Sequence, residues 1–116
     1  MMSEKPSRPN FIELPTHDIA AAEAFYAAVF DWQMTAFGPS YACTMTGDVD
    51  VGLQADRAEA TSAPLPVIHV AALEAVLEAV TRAGGTITKP IFAFPGGRRF
   101  HFRDPSGNEL AAMTAD

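Results

Sequence analysis

The run Arg98-Arg99-Phe100-His101-Phe102-Arg103 interleaves two aromatic side chains with three arginines and a histidine. If it is a strand, residues two apart share a face. Burying Phe100 and Phe102 under a helix then turns Arg99, His101 and Arg103 the other way, because exposing the aromatics to bury the basic groups would cost on the order of several kcal/mol. A guanidinium grips carboxylate or phosphate with two parallel bonds, and an imidazole exchanges protons near neutral pH. Glu13, His69 and Glu109 stand on other short apolar runs and extend the set. A carboxylate can act as general base beside a histidine or arginine that draws electrons. Glu13 with His69 and His101 is also a sound ligand set for zinc, iron or nickel, with positions left open for substrate.

The same positions also read as a wet rim or a dimer contact, where charge needs no function. Pro95-Gly96-Gly97 ahead of Arg98 and Arg99 reads as a turn between strands, with a backbone nest for an anion or a mobile flap over the site as the other readings. Cys43 lies in an apolar run without a flanking cation and reads as a small buried hydrophobe rather than a nucleophile. Trp32 and the Phe25-Tyr26 pair read as core, and His17 as a solvated loop residue.

These side chains need elements to hold them. Residues 11–14 form an apolar-rich run stopped by Pro15, long enough for a strand and too short for a helix. Asp18 then caps a strongly helix-forming stretch over 19–30, where Ile19, Ala22, Tyr26, Val29 and Phe30 recur at spacings of three and four and mark one face to pack on a sheet. Residues 40–46 and 49–54 read as a hairpin about Gly47-Asp48, and the small, polar stretch 55–64 as a linker. After it the order repeats at a spacing of about 54 residues. Residues 67–70 make a strand, and 73–83 a helix with Leu73, Val76, Leu77 and Val80 inward and Gly84-Gly85 as its stop. Residues 86–89, 98–103 and 109–113 make three strands more. Each half reads βαβββ: residues 10–54 the first module, 55–64 the linker, 65–116 the second, with 1–9 a flexible lead-in to one domain over 10–116.

Length and composition fit that plan. The 116 residues are 48% hydrophobic and 19% charged, enough for one domain with a real core. A formal charge of −6 is the wrong sign for a phosphate-backbone binder, which excludes nucleic acid as an expected partner. One cysteine makes no internal disulfide, and no run nears the roughly 18 apolar residues of a membrane span. No membrane partner and a cytoplasmic location follow as expectations.

Two segments carry a family resemblance. The stretch from Phe100 through Arg103-Asp104-Pro105-Ser106-Gly107-Asn108-Glu109-Leu110 resembles the Asp-Pro-x-Gly-Asn turn that closes the vicinal oxygen chelate superfamily, which holds the glyoxalases, bleomycin-resistance proteins and extradiol dioxygenases. Residues 13–32 look like its opening: a short strand, Asp18 as cap, Ala24-Phe25-Tyr26, then Phe30-Asp31-Trp32, where Asp31 stands in place of the usual glycine. The resemblance spans residues 11–113. It implies an α+β fold of two βαβββ modules whose curled mixed sheets form a concave cup, with the helices outside and the site on the concave face.

In metal-using relatives, the resemblance implies, one ligand sits on each module's opening strand, seven residues before the helix cap, and one on each closing strand. Those places fall here on Phe11 and Leu65, on Val51 or Leu53, and on Ala111, none of which offers a donor. No metal cofactor is therefore expected. Placing Phe11 and Leu65 inward also turns Glu13, Val67 and His69 inward, with Glu109, Ala111 and Met113 alternating likewise. The expected ligand site is Phe11, Glu13, Val67, His69, Arg99, His101 and Met113. Arginine takes the anion, the apolar residues pack the remainder, and Glu13 and His101 are the candidate catalytic pair.

The expected function is a glyoxalase-like or bleomycin-resistance-like protein that binds a small anionic or polar-aromatic molecule, as a homodimer. The rivals are a metal-dependent lyase, isomerase or dioxygenase with a divalent metal at Glu13, His69 and His101, and a non-catalytic interaction module. Whether the protein is an enzyme stays open at this point.

Overall fold

The computed structural model describes residues 7–116, so the greater part of the expected lead-in over 1–9 lies outside the described residues. Among the described residues two helices and eight strands give an α+β fold in the order βαβββ-βαβββ. The described residues divide into two compact units, Phe11–Leu65 and, together with residues 7–10, Pro66–Asp116. No helix among the described residues is long and apolar enough to cross a membrane.

In the first unit, β1 (Pro9–Pro15) runs parallel to β4 (Asp50–Gln54), while β3 (Tyr41–Cys43) lies antiparallel to β4 and to the two-residue β2 (Thr35–Ala36). β2 has no counterpart in the sequence reading. Helix α1 (Ile19–Phe30) begins as expected, the Asp18 carboxylate accepting from the Ala21 amide at 3.0 Å. It ends on Asp31 in the left-handed conformation (φ 59°), with the Trp32 amide reaching back to the Tyr26 carbonyl. Its apolar face is not a buried one. No α1 residue is fully buried, and Phe25, Val29 and Phe30 are more than half exposed, which corrects the expectation that the Phe25-Tyr26 pair is core. The helix meets the sheet at β4, leaving those three side chains largely in solvent. Tyr26 instead stacks on Trp32 at 4.8 Å.

In the second unit, β5 (Leu65–His69) runs parallel to β8 (Glu109–Ala115), which pairs antiparallel with β7 (Gly97–Arg103), which pairs with β6 (Thr86–Phe94). Helix α2 (Leu73–Arg82) covers this sheet. Val70, Leu73, Phe100 and Ala112 form its core, with Ile68, Val76, Leu77, Val80, Ile87, Ile91 and Phe102 packed around them. The period-two assignment of Phe100 and Phe102 to the helix side holds.

β6 is longer than the expected 86–89 because it continues through Pro90 to Phe94. Two register shifts, between Ile87 and Lys89 and between Lys89 and Phe92, absorb the proline. Pro95-Gly96 is then a tight two-residue link from Phe94 to its ladder partner Gly97, with Gly96 at φ 108° and its carbonyl accepting from the Asp116 amide. A two-residue turn tied into the sheet is not a flap.

Candidate functional site

The face of the second unit's sheet opposite α2 carries its chemistry. Ladder partners place Val67, Ala111, His101 and Lys89 in one row, and His69, Met113, Arg99 and Phe92 in the next. Phe94, two residues beyond Phe92, shares this face, while Arg98 turns to the helix side and pairs there with Glu74. The expected residues Val67, His69, Arg99, His101 and Met113 therefore lie on one face of one sheet, alongside Glu109. They are not alike in setting. His69 ends its strand exposed to solvent, and Met113 stands between it and Arg99, whereas His101 is only 2% exposed.

Buried, His101 meets a carboxylate. Its Nδ1 lies 3.4 Å from Glu109 Oε2, the oxygen that also accepts from the Thr88 hydroxyl at 2.9 Å. Arg103 Nη2 approaches the other Glu109 oxygen at 4.0 Å, and Arg103 Nη1 donates to the Gly107 carbonyl in the Asp104–Asn108 turn. His101 Nε2 is buried with no hydrogen-bond partner. Burial first, then the charges of Arg99 and Lys89, push the imidazole below its ordinary pKa, with Glu109 opposing them. The ring rests 5.8 Å from Phe92.

Cations frame that aromatic floor. Lys89 Nζ sits 4.5 Å above the Phe92 centroid, and the Arg99 guanidinium lies 5.4 Å from Phe92 and 5.5 Å from Phe94. Sequence reading missed Lys89, Phe92 and Phe94. The signal was Lys89-Pro90-Ile91-Phe92-Ala93-Phe94, which is strand-like apart from a proline that argues against a strand.

In the first unit, Glu13 is 2% exposed and its Oε2 accepts from the Tyr41 hydroxyl at 3.0 Å. Phe11, of the same strand parity, presses on Gly52: a β-carbon there would stand 2.7 Å from the Phe11 ring and crowd the Tyr41 hydroxyl, so a larger residue would force both side chains to shift. Gly52, not Val51 or Leu53, is the ladder partner of Glu13, so those two closing-strand residues lie on the other face of β4 from Glu13. Cys43 is half-buried, and burial with nearby Asp50 raises its thiol pKa, as suits a packing residue.

The sequence profile described as Glyoxalase/Bleomycin resistance protein/Dioxygenase superfamily matches residues 8–112. No curated protein sequence matches the chain. Among solved structures, a glyoxalase/bleomycin resistance protein/dioxygenase superfamily member from Vibrio splendidus 12B01 superposes with a TM-score of 0.72 at 17% identity, covering 94% of this chain and 99% of that one. Methylmalonyl-CoA epimerase from Mycobacterium tuberculosis superposes with 0.75 at 11% identity, covering 100% and 93%. The Mn(II)-bound glyoxalase from Novosphingobium aromaticivorans gives 0.63 at 23% identity, this chain spanning 40% of its length. At these identities the likeness is one of fold.

A metal of the kind that last protein holds does not fit the residues here. Phe11 is an aromatic side chain, Gly52 has none, Asp50 is tied up by the hydroxyls and amides of its own turn, and Leu65 and Ala111 are fully buried hydrocarbon. Among the described residues no three His, Cys, Asp or Glu side chains gather as a metal-binding group, which counts against the set Glu13, His69 and His101.

Proposed function

The chain belongs to the glyoxalase/bleomycin resistance protein/dioxygenase superfamily, and from that premise we propose that it binds a small organic anion with an aromatic or apolar body, on the face of the second unit's sheet opposite α2 and without a metal. One observation carries this reading: Arg99 and Lys89 lie over a Phe92–Phe94 floor on the same face as the buried His101. Arginine matches a carboxylate or phosphate in two parallel bonds, and the rings with Met113 and Val67 take the apolar portion. The charge on the ligand is met by Arg99 rather than by His101, whose imidazole burial holds toward the neutral form. Glu13, buried and held by Tyr41, is a candidate base in its own unit. A homodimeric, cytoplasmic protein completes the proposal.

Calorimetric titration with benzoate, phenylacetate and phenyl phosphate, against benzamide as the neutral control, tests the proposal. The acids should bind with dissociation constants below about 1 mM, and Arg99→Ala should weaken them about tenfold or more. Equal binding of benzamide, or indifference to Arg99→Ala, would refute it. Glu13→Gln in the same titration reports whether that carboxylate bears on binding at all.

A further inference from the structure

A neutral imidazole has one N–H and one lone pair, and a carboxylate only accepts. With Glu109 Oε2 at 3.4 Å from Nδ1, and that same oxygen anchored by the Thr88 hydroxyl, the proton belongs on Nδ1 and the lone pair on Nε2. Nε2 is buried with no hydrogen-bond partner. On the β8 side its neighbours in the row, Ala111 and Val67, are hydrocarbon, and Lys89 stands on the β6 side. A buried acceptor left open is costly unless something donates to it. Lys89 and Arg99 flank the imidazole, with their cationic heads over aromatic rings.

We propose that Glu109 and Thr88 position His101 so that Nε2 is a fixed hydrogen-bond acceptor, and that the ligand is therefore a hydroxy acid, its carboxylate on Arg99 and its hydroxyl donating to Nε2. This rests on the anion reading above. Arg99 and His101 are two residues apart on one face of β7, about 6.6 Å between their α-carbons, a spacing that a hydroxyl and a carboxylate on neighbouring carbons of one small ligand can bridge. The phenyl-bearing 2-hydroxy acid mandelate fits that spacing and offers a ring to Phe92 and Phe94. Glu109 touches no ligand and acts through the imidazole. It is a positioning residue.

The test has two readouts on the intact protein. Imidazole nitrogen NMR of the ligand-free chain should show His101 protonated on Nδ1, and Glu109→Ala should move that proton to Nε2. In titrations, mandelate should bind about tenfold more tightly than phenylacetate, which lacks only the hydroxyl. The preference should fall to near unity in Glu109→Ala and part of the way in Thr88→Val, whose site is exposed and safe for folding. An Nε2-protonated wild type overturns the proposal, and so do two acids that bind equally well while both are weakened by Arg99→Ala, a result that leaves the anion site standing. If neither acid binds up to about 10 mM, the anion site itself falls and this ligand class with it.

Discussion

Replacing Phe100 and Arg99 in turn sets two neighbours on one strand against each other. Phe100 is fully buried among Val70, Leu73 and Ala112, with the Phe102 ring 5.8 Å away. Its truncation to alanine removes the ring's transfer energy and leaves a cavity under α2, about 3–5 kcal/mol in all. A chain of 116 residues has roughly 6–17 kcal/mol of stability, so a large fraction is lost. At about 2.1 cal/mol/K per residue, each kcal/mol lowers the melting temperature by about 4 °C, which predicts a fall of about 12–20 °C. Arg99→Ala removes a cation from two ring faces on the opposite side and should cost about 1 kcal/mol, or about 4 °C, while it weakens organic anions about tenfold. Thermal unfolding by circular dichroism, with calorimetry on the same samples, reads both. If Arg99→Ala melts as low as Phe100→Ala, or Phe100→Ala falls by less than about 4 °C, the face assignment of β7 and the reasoning built on it are wrong.

Acid should act on His101 before it acts on the carboxylates. Its folded pKa lies below the ordinary 6.5, so the unfolded chain takes the proton first as pH falls. Stability is full above about pH 6.5 and declines as pH drops through the folded value. His101→Gln should flatten the decline of denaturation midpoints as pH falls below about 6.5, and an unchanged slope would count against a buried neutral imidazole amid Glu109, Arg99 and Lys89. Asp31→Gly should raise the melting temperature by about 2–4 °C, because Asp31 holds φ 59°, where glycine has no β-carbon penalty; no gain by scanning fluorimetry would show that aspartate is unstrained there. Elemental analysis of dialysed protein should find zinc, iron, nickel and manganese well below one equivalent, since the places that could ligate them are Phe11, Gly52, Leu65 and Ala111. Light scattering should give about twice the 12.4 kDa chain mass, and a monomer across a wide dilution range would refute the dimer.

The sequence by itself determined what short-range physics decides. Asp18 caps α1 because its carboxylate is three residues from the free Ala21 amide. Asp104 closes its turn on the Ser106 and Asn108 amides within a five-residue span. The alternation of Phe100 and Phe102 with Arg99, His101 and Arg103 fixed which side of β7 faces α2, since a strand has only two sides and the two aromatics must share the one that packs on the helix. Register, coverage and depth were left to the tertiary structure, because each depends on a partner far along the chain. Two bulges in β6 turn Lys89, Phe92 and Phe94 onto the site face, and nothing in residues 86–94 announces how β7 will count them. Parallel pairing of β1 with β4 sets Gly52 rather than Leu53 beside Glu13, a one-residue choice that moves every side chain to the other face. Burial separates the histidines: His69 sits at a strand end in solvent, whereas His101 lies mid-strand between β6 and β8, where Glu109 orders its ring. Residue type gave both the same chemistry, and desolvation, a tertiary property, assigned it to His101.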